Sequence, residues 1–137
     1  KLFKTLLTIL FISLLSSPSW SVNFDDLVKR EGIYYQKFSD VPFTGEVTGK
    51  KEGSLKDGKE EGAWVEYWNT GRLLGKGNYK NGSWDGYWVY YWDNGQLWQK
   101  GIFKNGLKEG AWVYYWDNGI VYKTWTGIYK NGYKISD

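Results

Sequence analysis

The sequence predicts an all-β fold of tandem antiparallel β-hairpins joined into an elongated meander sheet. Three observations carry that expectation: an internal repeat of 24 residues, an aromatic fraction of 20%, and Asn-Gly pairs recurring between apolar runs. Ten Trp and twelve Tyr stand beside eighteen Gly, a composition suited to pleated, half-buried strands linked by tight turns.

The first segment reads as an address. Lys1 and Lys4 precede an apolar run from Leu6 to Leu15, and small residues follow at Ser19 and Ser21, the three regions of a secretory signal peptide cleaved after Ser21. The run is about ten residues, too short to cross roughly 30 Å of hydrocarbon as a helix, so no stable membrane insertion is expected after cleavage. No Cys follows it to carry a lipid. The expected destination is the bacterial periplasm or the medium.

Residues 22–33 are expected to form a short amphipathic helix that caps the open end of the sheet. Asn23 serves as N-cap, Asp26 sits in the first turn, Phe24, Leu27 and Val28 share a face, and Gly32 ends it. The hairpin domain then occupies residues 34–137. Its opening unit, 34–55, is degenerate; full repeats cover 56–79, 80–103 and 104–129, and a truncated copy covers 130–137. The third repeat carries two extra residues near Lys123 to Thr126, which are expected to shift the register or form a bulge.

Each repeat is read as one hairpin, turning at Asn69-Thr70-Gly71, Asp93-Asn94-Gly95 or Asp117-Asn118-Gly119, while Lys-Asn-Gly segments join successive hairpins. A two-residue turn at Asn94-Gly95 places Trp92 opposite Leu97, Val89 opposite Lys100 and Trp88 opposite Gly101. The indole of Trp88 would then cover Gly101, and that of Trp64 would cover Gly77. Alternation assigns Trp64, Trp68, Trp88, Trp92, Trp112 and Trp116 to one face with Leu73, Leu97, Tyr79 and Phe103. Val65, Val89, Val113, Tyr67, Tyr91 and Tyr115 take the other, and the tryptophan face is expected to be the packed one. Trp64, Trp88, Trp112, Gly77, Gly101, Leu73 and Leu97 are therefore structural repeat positions.

The chemistry available is narrow. Without Cys or His there is no thiol nucleophile, imidazole base, disulfide or zinc site. Removing Lys1 and Lys4 leaves 16 basic against 15 acidic residues, which gives no field for a nucleic-acid backbone. Glu61, Asp85 and Glu109 recur before Gly in every unit. A glycosidase needs one carboxylate pair, whereas every hairpin needs turn residues, so these are read as turn carboxylates. Asp93 and Asp117 lack the alternating carboxylates of a calcium loop. No catalytic, cofactor or metal residue is assigned. The aromatics that vary in character between copies are the candidate partner contacts: Tyr90 and Tyr114, where the first copy has Glu66, and the irregular Trp98 and Trp125.

The phrase Val41-Pro-Phe-Thr-Gly45, followed by tandem Gly-x-Trp-Val-x-Tyr and Asn-Gly-x-Leu-x-x-Lys-Gly elements, resembles the bacterial MORN-repeat-variant proteins of the YwqK antitoxin-like family over residues 34–133. The resemblance implies strings of β-hairpins without a shared active site, and a role in binding a partner protein such as a toxin. The functional expectation is therefore an exported, non-catalytic scaffold that binds an envelope or toxin-like protein. The alternative is a cell-envelope glycan-binding module that stacks sugars on exposed Tyr and Trp.

Overall fold

The computed structural model describes residues 21–137. The signal-peptide assignment to residues 1–21 thus lies outside the described residues, apart from Ser21. Strands β1 (Ser21–Asn23), β4 (Gly45–Thr48), β5 (Lys51–Lys56), β6 (Lys59–Tyr67), β7 (Leu73–Lys80), β8 (Ser83–Tyr91), β9 (Leu97–Lys104), β10 (Leu107–Tyr114), β11 (Gly127–Lys130) and β12 (Tyr133–Ser136) form one ten-stranded sheet. β2 (Leu27–Arg30) and β3 (Ile33–Gln36) form a separate hairpin. From β4 to β12 every strand pairs antiparallel with its sequence neighbour, as expected for a meander. β1 departs from that rule by lying parallel to β4, with Val22 opposite Val47.

The expected helix over residues 22–33 is absent. Asn23 does cap a helical turn, its side chain accepting from the Asp25 amide at 2.9 Å, but the turn is a single 3-10 turn, Phe24–Asp26. The chain then extends into the β2–β3 ladder, Leu27 opposite Gln36. The reason is local: Glu31 and Gly32 both take positive φ (48° and 80°), a type I′ turn that folds Val28 back against Tyr35 before a helix accumulates turns. The hairpin docks on the turn between β5 and β6. The Tyr34 amide donates to the Gly58 carbonyl at 2.8 Å, and Phe24 meets Tyr34 edge-on at 5.8 Å.

Two turn types alternate along the sheet. Asn81-Gly82, Asn105-Gly106 and Asn131-Gly132 have both φ angles positive, the two-residue I′ turn whose twist matches that of the strands. The Asp-Asn-Gly turns are different. The Gly95 amide donates to the Trp92 carbonyl and the Trp92 amide to Gln96, both at 2.8 Å, with Gly95 at φ 85°. This is a three-residue turn ending on a left-handed glycine, not the two-residue turn expected at Asn94-Gly95. A bulge compensates: Tyr90 faces Gln99 but Tyr91 faces Leu97, leaving Trp98 as the extra residue. Val89–Lys100 and Trp88–Gly101 keep the expected register, while Trp92 no longer faces Leu97. The slip also moves Leu97 and its counterpart Leu73 opposite Tyr91 and Tyr67, onto the valine face.

The tryptophan face is the packed one at Trp64, Trp88 and Trp112, but Trp116, expected on the same packed face, is 47% exposed because it lies beyond the end of β10 at the last Asp-Asn-Gly turn. Trp88 is 0% exposed, Trp112 1% and Trp64 2%, in a cluster with Leu55, Phe103, Tyr114 and Tyr129. The rings do cover glycines, but on the other neighbouring strand from the one expected. A Cβ on Gly53, Gly77 or Gly101 would collide with the indole of Trp64, Trp88 or Trp112 respectively. Trp88 Nε1 then donates to the Asn78 carbonyl at 2.8 Å and Trp112 Nε1 to that of Ile102 at 3.0 Å, so each indole is seated on the preceding hairpin. The third repeat keeps this geometry. Trp112 faces Gly127, and the two extra residues are absorbed in the loop after Tyr122 without shifting the strands.

Candidate functional site

The repeat places equivalent positions in columns across the strands, and departures from the column residue mark where the sheet is specialised. On the tryptophan face one column runs Glu60, Trp84, Lys108, Lys134, opposite Leu55, Tyr79, Phe103 and Tyr129 in turn. A second runs Glu66, Tyr90, Tyr114, connected laterally through Gly75 and Gln99. The first repeat thus carries two buried carboxylates, where the later copies carry rings and the lysines Lys108 and Lys134.

Those carboxylates are paired. Glu60 lies 3.3 Å from the Lys29 ammonium and Glu66 lies 2.9 Å from that of Lys51. Their negative charge reaches the neighbouring phenols. The Tyr79 hydroxyl is pushed well above its ordinary value, first by burial and then by Glu66; the Tyr90 hydroxyl is raised by the same two causes in the same order.

Aromatic rings form a continuous strip that begins with Trp64 and Tyr79 of the first repeat and reaches Trp84 through Tyr79. Trp84 contacts Phe103 (ring centroids 5.0 Å apart), Phe103 contacts Trp112 (4.8 Å), and Trp112 contacts Tyr114 (6.1 Å). Tyr114 meets Trp125 edge-on at 5.7 Å, Trp125 stacks on Tyr122 at 5.8 Å, and Tyr122 packs on Trp116 at 4.1 Å. All but the shorter Tyr122–Trp116 distance lie in the usual range of favourable aromatic pairs. The strip is buried at Phe103, Trp112 and Tyr114 and more open elsewhere: Trp84, which also meets Tyr79, is 40% exposed, Trp125 is 53% exposed, and Ile120 and Val121 beside Trp116 are exposed as well.

The candidate contacts therefore divide. Trp125 is exposed as expected. Trp98 is half-buried, packed on Trp92 at 4.8 Å and near Tyr90 at 6.1 Å, because it is the bulge residue. Tyr114 is only 3% exposed, and Tyr90 is half-buried and stacked on Trp88 at 5.5 Å. These two are packing residues, which corrects the expectation that both are exposed. They follow Trp88 and Trp112 by two residues and so fall on the packed face. Two residues were missed, Trp84 and Lys108, although the Glu60, Trp84, Lys108 column was available at the same 24-residue spacing.

The recurrent carboxylates have a structural task. Glu61 accepts from the Asn81 amide at 2.7 Å and Glu109 from the Asn131 amide at 3.0 Å. Each fastens the I′ turn of the following hairpin to its own strand.

With this geometry established, comparison with known proteins places part of the chain. The MORN repeat variant model matches residues 60–81 and 84–105, which correspond to the β6–β7 and β8–β9 hairpins. No curated protein matches the chain. MORN repeats are generally protein- or lipid-binding modules and typically non-catalytic.

Proposed function

We propose that the protein is an exported bacterial scaffold, related to the antitoxin-like MORN-variant proteins, that binds a partner protein in the cell envelope or outside the cell without chemistry of its own. The observation that supports this reading is the position of the apolar side chains the sheet leaves uncovered. Trp116, Ile120, Val121 and Trp125 are all exposed and lie together around the third hairpin, the one repeat altered by an insertion, at the open end of the aromatic strip. Contiguous exposed aromatic and aliphatic surface of this kind marks protein interaction sites, and Trp is enriched among the residues that dominate their binding energy.

The test is capture from envelope extract on the immobilised protein, followed by reconstitution of the captured species from purified components. A stoichiometric protein complex is expected, weakened on the order of tenfold or more by Trp125→Ala with the β-sheet circular-dichroism signal unchanged. Retention on purified peptidoglycan or polysaccharide with no protein partner would overturn the reading.

A further inference from the structure

Lys108 shares its column with Glu60, Trp84 and, in the truncated fourth copy, Lys134, which is paired with Asp137. It lines a groove of about 400 Å³ with Trp84, Tyr90, Gln99, Phe103 and Leu107. Its ammonium stands 5.1 Å from the Trp112 ring, 5.0 Å from that of Tyr114 and 5.4 Å from that of Tyr129, and it donates a hydrogen bond to the Tyr114 hydroxyl. Among the described residues it forms no ion pair, whereas the buried charges of the first repeat each have one. Burial holds this ammonium below its ordinary value. A half-buried cation satisfied only by ring faces and a phenol retains unspent capacity for an anion.

The remaining lining narrows the anion. The polar residues that line the groove are one lysine, one glutamine and one tyrosine, with Trp84 and Leu107 as exposed apolar lips. A phosphate dianion is held by several converging donors, often an arginine fork, and no arginine lines this groove. A sugar presents hydroxyls over most of its surface, and this lining has few groups to meet them. A single carboxylate beside an aliphatic side chain matches both parts. The groove volume falls within the range of small-ligand sites, and in an extended peptide side chains two positions apart project to the same side about 7 Å apart.

We infer that this groove takes an acidic peptide segment of the partner protein, its carboxylate on Lys108 and a neighbouring apolar side chain against Trp84 and Leu107. The inference rests on the protein-binding reading above and names the chemistry the partner presents.

The probes are acetyl-Gly-Glu-Gly-Leu-Gly-amide and its twin with Gln in place of Glu, each titrated against the full chain while the Trp84 indole resonance is followed by NMR. The Glu peptide is expected to bind about tenfold more tightly than the Gln twin at low salt, with the advantage shrinking as salt is added. Lys108→Met should erase the difference, and Trp84→Ala should weaken both peptides. Lys108→Met should melt at the same temperature as the parent or higher, since it replaces an unpaired half-buried charge with a side chain of similar length; the lost discrimination is then not unfolding.

Equal binding of the two peptides, or binding of neither, overturns the inference. A captured partner held equally by the parent and by Lys108→Met also overturns it while leaving the scaffold reading intact. Failure to capture any partner sinks the scaffold reading, and the peptide pair still decides the groove.

Discussion

Gly77 shows how one residue type fixes the position of another. Its missing Cβ leaves the space filled by the five-membered ring of the Trp88 indole, so any side chain there competes with a fully buried indole. Gly77→Ala should cost about 2–3 kcal/mol by overpacking and Trp88→Ala about 3–5 kcal/mol by cavity formation. Because the first change acts through the ring that the second removes, the double variant should be less destabilised than the sum, which a denaturant double-mutant cycle would reveal. Additive costs would mean that the glycine and the ring are independent. The glycine-under-tryptophan motif was legible in the sequence. The strand that supplies it was not, since every interior strand has two neighbours and alternation ranks neither. Variation between repeats was likewise a sound signal read with the wrong meaning at Tyr90 and Tyr114. A ring in place of Glu66 suggests exposure, whereas Glu66 is itself buried and the rings fill its place.

At the scale of the element, the hairpins were legible and their turns were not. Asn-Gly marks a reversal in both turn classes, but only the hydrogen-bonding pattern separates the two-residue I′ turn at Asn81-Gly82 from the three-residue turn at Asp93-Asn94-Gly95. That one-residue difference produced the bulge at Trp98 and carried Leu73 and Leu97 to the other face. The N-terminal segment failed for a related reason. A helical face of Phe24, Leu27 and Val28 was visible, yet Glu31-Gly32 formed a hairpin turn that no periodicity count registers. The joining turns support one further prediction. Glu61 and Glu109 each reach the amide of the next turn, and Asp85 occupies the same position with a side chain one methylene shorter. Asp85→Glu should complete the row by bonding the Asn105 amide and raise stability by about 0.5–1 kcal/mol in urea denaturation. No gain would show that these turn bonds are offset by solvation.

For the molecule as a whole, the aromatic strip and the N-terminal hairpin tie the stability of the sheet to proton uptake by phenols. Tyr34, Tyr79, Tyr90 and Tyr114 extend from the N-terminal hairpin through the third repeat, and burial is the leading cause that raises all four hydroxyls above their ordinary value. An unfolded tyrosine releases its proton near pH 10, while these four hold theirs in the folded chain. Above that pH the unfolded state therefore binds fewer protons than the folded state, and stability falls as pH rises. Below it both states are protonated and the contribution is fully present. Lys108 works in the opposite sense. Its folded value lies below that of an unfolded lysine, so a cost present at neutral pH is relieved as the ammonium deprotonates, but it is one group against four. The sheet should keep its melting temperature up to about pH 9 and lose it steeply above about pH 10, in one transition. Tyrosinate absorbance and far-ultraviolet circular dichroism followed together would test this. The four buried phenols should ionise only as the sheet signal is lost. Smooth ionisation of all twelve tyrosines near pH 10 with the sheet preserved would show that water reaches the strip, and that the packing assigned to Tyr90 and Tyr114 is wrong.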